Sequence, residues 1–137
     1  MTIYMPDDLA AEVKAELGDS NVSAICQAAL RAELDRARAR ARITEKGFER
    51  VEVYDGKRER DVAFQGREIG YADHLEQTAY LTPKDSIVVY SDDRQEMWVY
   101  DDYEEFVGNQ DDPNHPDELI AQVAEALGEK YVEELDI

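Results

Sequence analysis

The chain has 137 residues, 43% of them apolar, and a formal net charge of -18. That length suits one ordinary domain, or a very small domain plus a modest second one, and no run of about 18 apolar residues offers a transmembrane helix. The single cysteine, Cys26, excludes an internal disulfide. The start Met1–Asp8 lacks the basic and apolar regions of a signal peptide, so a cytoplasmic location is expected.

The charge is unevenly spread. Residues 1–46 carry 8 acids and 7 bases, a net of -1, whereas residues 47–137 carry 25 acids and 8 bases, a net of -17. Two units with different tasks are expected, 1–45 and 46–137. An acidic surface repels nucleic acid, so any phosphate contact falls to the first unit.

In chain order, Thr2-Ile3-Tyr4-Met5 alternates as a half-buried strand, with Ile3 and Met5 on one face and Thr2 and Tyr4 on the other. Pro6 ends it, and Asp7 and Asp8 favour a helix start. A first helix is predicted over 7–17 on the stripe Leu9, Val13, Leu17, with Gly18 as its stop. Asn21 is the expected cap of a second helix over 22–42, whose apolar stripe is Val22, Ile25, Cys26, Ala29, Leu30 and Leu34. One short strand with two helices cannot satisfy its own backbone, so a twofold homodimer is expected.

The stretch Thr2 to Leu9, then Val13, then Asn21 to Leu30, resembles the ribbon-helix-helix family of Arc- and MetJ-type repressors and antitoxins. The resemblance covers about a third of the chain. It implies an intertwined dimer whose two-stranded ribbon enters the DNA major groove. Thr2 and Tyr4 would then read base edges, and the backbone amides of Asn21, Val22 and Ser23 would hold a phosphate. The strand lacks the Lys or Arg that many members carry there. Arg36, Arg38, Arg40 and Arg42 follow, as two pairs spaced four apart. Three readings stay open for them: a solvated helix end, contact with the DNA backbone, or docking on the acidic unit, with docking ranked above DNA. Cys26 lies on the apolar stripe and reads as a core thiol.

After Gly47 the pattern turns strand-like. Strands are expected over 48–54, 58–71 with a bulge or second turn at Gly66, 78–82, 86–90 and 95–100, joined by short turns at Asp55-Gly56, Pro83-Lys84-Asp85 and Ser91-Asp92-Asp93-Arg94. Short connections favour an antiparallel meander. Pro116 opens a helix with Leu119, Ile120, Val123 and Leu127 inward and Gly128 as its stop. The expected fold class is therefore α+β: a ribbon-helix-helix dimer followed by an antiparallel sheet domain with a C-terminal helix. The ending Glu133, Leu135, Asp136, Ile137 resembles the actinobacterial EXLDI family, for which no activity follows; Leu135 and Ile137 would plug into the sheet.

No phosphate loop, nucleophile elbow, paired-cysteine motif or zincin helix occurs in the sequence. His74 and His115 are not ligand-spaced, and the acidic runs 101–105 and 111–112 read as solvated faces. No cofactor, metal or catalytic residue is expected. Tyr80, Tyr90, Trp98, Tyr100 and Tyr103 read as sheet core or as a ligand pocket. The leading reading is a DNA-binding transcriptional regulator of the repressor class, acting on double-stranded DNA as a homodimer, with a small-molecule or protein effector at the acidic unit. An antitoxin is the second reading and an acidic nucleic-acid mimic the third.

Overall fold

The computed structural model describes residues 19–108 and 115–131. The chain separates into two compact units, 1–35 and 36–137. The elements are helix α1 (Asp19–Lys46), strands β1 (Glu49–Asp55), β2 (Arg60–Ala72), β3 (Gln77–Leu81), β4 (Ile87–Ser91) and β5 (Glu96–Tyr100), and helices α2 (Tyr103–Gly108) and α3 (Asp117–Leu127).

The expected fold class is corrected. The first described element is a helix of 28 residues, followed by a five-stranded antiparallel sheet with small helices. A ribbon-helix-helix chain would open on a strand followed by two helices. The expected strand 2–5, the first helix 7–17 and the terminal residues Leu135 and Ile137 lie outside the described residues. Asn21 is not a cap, because the chain is already helical at Asp19. Contacts divide the chain at Asp35/Arg36, within α1. The physical reason is burial: Ala39 and Ile43 are 0% and 6% exposed, and Ile43 belongs to the hydrophobic core of the sheet unit.

In unit 36–137 the five strands follow one another in a meander, β1-β2-β3-β4-β5. β2 serves two partners. Its first half pairs with β1, from Asp55↔Arg60 to Glu49↔Gly66, and its second half pairs with β3, from Arg67↔Leu81 to Ala72↔Gln77. The register shifts between Glu68 and Gly70, not at Gly66 where a bulge was expected. Gly66 instead sits at a close approach: a Cβ there would meet the Phe64 ring at 3.0 Å and Tyr80 Cβ at 3.2 Å. The β1–β2 hairpin curls until its tip meets the last hairpin. Gly56 N donates to Gln95 O at 2.7 Å, and the Tyr90 hydroxyl donates to Tyr54 O at 2.8 Å. Its four-residue turn ends on Glu59 at φ 51°, and the β4–β5 turn likewise ends on Gln95 at φ 54°, the left-handed geometry that closes such hairpins.

Alternation along the strands sorts their side chains onto two faces. Ile69 and Ala72 of β2, Ala79 and Leu81 of β3, and Ile87 and Val89 of β4 form one face, buried with Leu119, Ile120 and Val123 of α3. α3 starts after Pro116, in extended geometry at ψ 143°, and stops at Gly128 in the left-handed region, φ 68°. It lies close on the sheet at Gly70, where a Cβ would meet Leu119 and Gln122 at 3.3 Å. Beside it, Gln122 takes the place of a neighbouring strand: its Oε1 accepts from Tyr71 N at 2.9 Å and its Nε2 donates to Tyr71 O at 2.8 Å. The C-terminal end of α1 is held in a similar way. Gly47 adopts φ 84° just past the helix, and Arg67 donates to the carbonyls of Gly47 and Lys46 at 2.7 and 2.8 Å.

Candidate functional site

The arginines of α1 divide by helix geometry. Residues four apart share a face, and residues two apart point roughly opposite ways. Arg36 and Arg40 turn toward the sheet unit. Arg36 Nε pairs with Glu129 Oε1 at 3.0 Å. Arg40 pairs with Asp85 Oδ1 at 2.6 Å, donates to Pro83 O at 3.2 Å, and lies 5.7 Å from the centre of the Phe48 ring. Arg38 and Arg42 are exposed. One pair therefore packs on the sheet unit and the other faces solvent. Arg42 also borders a cleft with Lys46 and Arg67, between α1, β2 and α3.

The remaining sequence-derived site residues separate as follows. Thr2 and Tyr4 lie outside the described residues. Asn21, Val22 and Ser23 are in the helical stretch of α1, with Val22 half-buried and Ser23 exposed. Ser23 is the fifth helical residue, and an amide that far into a helix donates within it. The stripe meant for a core is largely open in unit 1–35: Ile25, Leu30 and Leu34 are 52%, 40% and 43% exposed, and Cys26 is half-buried.

The five aromatic residues do not form one pocket. Tyr100 belongs to the core face, with Trp98 and Tyr103 packed against it. Tyr80 and Tyr90 stand on the other face by alternation. Tyr100 takes part in a buried polar chain. Its hydroxyl donates to His115 Nε2 at 2.7 Å, and His115 Nδ1 donates to Gln77 Oε1 at 2.7 Å. The His115 ring is edge-on to Trp98 at 5.3 Å and to Tyr100 at 5.8 Å. Burial lowers its pKa from 6.5 to about 4. A neutral ring with both nitrogens bonded is fully satisfied, so this histidine ties β3, β5 and the start of α3 together. Sequence spacing could not find this group, because its members lie 15 and 38 residues apart. Among the described residues no group of three His, Cys, Asp or Glu side chains could hold a metal ion.

The curl of the sheet makes a feature that the sequence reading missed. An open groove of about 550 Å³ runs along the second face, lined by Val62 and Phe64 of β2, Val88 of β4 and Met97 and Val99 of β5. Arg60 and Lys84 also line it, and no Asp or Glu does. No described helix is long and apolar enough to cross a membrane. No family model, curated protein or solved structure matches the chain.

Proposed function

We propose that the chain is a DNA-binding regulator that acts as a homodimer, with DNA contact carried by residues 1–46 and modulation by the acidic sheet unit. The observation that carries this reading is the segregation of charge: residues 1–46 are near neutral and hold the solvent-facing pair Arg38 and Arg42, while the rest carries -17. A segment free of excess acid, with arginines turned outward, can approach a phosphate backbone that residues 47–137, with their net charge of -17, repel. The apolar side chains of Ile25, Leu30 and Leu34 support self-association, since large exposed apolar stripes mark interaction surfaces. The same exposed stripe suits a second reading, an antitoxin that covers a toxin and represses its own operon.

The test is fluorescence anisotropy of the full chain against the DNA upstream of its own gene, over a salt series. Binding is expected to weaken with salt, and Arg38→Ala with Arg42→Ala should lower the logarithmic salt slope by roughly 2 while weakening all sequences alike. Absence of binding by the full chain at low salt would overturn the reading.

A further inference from the structure

We infer that the groove on the second sheet face is a binding site for a small aliphatic carboxylate. Three observations carry it. Its volume, about 550 Å³, falls in the range of about 300–1,000 Å³ that suits small ligands. Its walls are the apolar side chains of Val62, Phe64, Val88, Met97 and Val99. Its charged members are both cations, Arg60 and Lys84, although residues 47–137 hold 25 acids against 8 bases.

The two cations are not equivalent. Arg60 Nε already faces Asp55 Oδ2 at 3.5 Å, so its charge is partly answered. Lys84, in the turn before β4, has no ion pair among the described residues. That arrangement offers about one net positive charge beside an apolar trough. A singly charged carboxylate on an aliphatic chain matches it. A phosphate dianion would place a second negative charge in the field of residues 47–137, whose net charge is -17. A second copy of the chain fits less well, because a twofold contact here would bring two acidic units and two Lys84 side chains together.

The site rests on the sheet unit alone and is independent of the DNA reading. Isothermal titration calorimetry of the full chain with dodecanoate below its micellar concentration tests it, alongside dodecanol and dodecyl phosphate. Dodecanoate should bind with one site per chain, and dodecanol at least about tenfold more weakly, since each tenfold step is one lost charge-assisted contact of modest strength. Lys84→Glu should weaken dodecanoate at least about tenfold, and Val99→Asp should abolish it. Both positions are exposed, and Trp98 fluorescence reports whether each variant is folded. In the unsubstituted chain, methyl-labelled methionine should show the Met97 resonance moving on addition of dodecanoate. No binding heat, equal affinity for dodecanol, tighter binding of dodecyl phosphate, or a static Met97 methyl would each overturn the proposal. So would a chain dimer that Val99→Asp splits while dodecanoate leaves it untouched.

Discussion

At the scale of single residues, His115 shows how burial decides chemistry. Its ring is 2% exposed, donates to Gln77 and accepts from Tyr100, and burial holds its pKa down at about 4. An unfolded histidine titrates near 6.5. Between those values the unfolded chain binds the proton and the folded chain does not. Stability therefore falls as pH drops through the window from about 6.5 to about 4, by on the order of 3 kcal/mol across it. His115→Gln should flatten that slope. Urea midpoints at pH 7 and pH 4.5 check it, read through Trp98 fluorescence, and equal slopes in both proteins would contradict the assignment. A second single-residue expectation concerns Glu59, an exposed residue held at φ 51° in the β1–β2 turn. Glycine carries no Cβ penalty there, so Glu59→Gly should raise stability by about 0.5–1 kcal/mol.

Elements show where sequence patterns speak and where they stop. The five strands were legible because alternation and turn residues agree: Asp55-Gly56 and Pro83-Lys84-Asp85 mark chain reversals, and the apolar run Ile87-Val88-Val89-Tyr90 marks a strand covered on both faces. The curl of the first hairpin was not legible. Alternation tells which residues share a face, but not that Val62 and Phe64 will bend over to line a groove with Met97 and Val99. α1 misled in a different way. Its stripe of Ile25, Leu30 and Leu34 reads like a core face, yet these side chains are exposed, and alternation of apolar positions does not tell a face buried within one chain from a face that meets a second one. The arginine run on the same helix gives a sharp comparison. Arg40→Ala removes bonds to the 82–85 turn and packing on Phe48, and should cost about 1–2 kcal/mol. Arg38→Ala, two positions earlier and exposed, should stay within about 0.5 kcal/mol. Urea denaturation of the two variants distinguishes a docked arginine from a solvated one.

On the scale of the whole molecule, charge and exposed apolar surface set the behaviour. A net charge of -18 keeps copies of the chain apart unless a specific contact outweighs the repulsion. The open stripe on α1 is the contact that the dimer reading uses. Light scattering on the eluting protein should then give twice the chain mass of 15.7 kDa, and Leu30→Asp with Leu34→Asp should return it to a single chain. A monomer in the unsubstituted protein would remove the dimer from the proposed function. The central claim, that this acidic protein binds DNA through its near-neutral N-terminal segment, is tested most directly by genome-wide binding of the tagged full chain. Discrete enriched sites that weaken together when Arg38 and Arg42 are replaced by alanine are the expected result. A profile indistinguishable from an untagged control would contradict it.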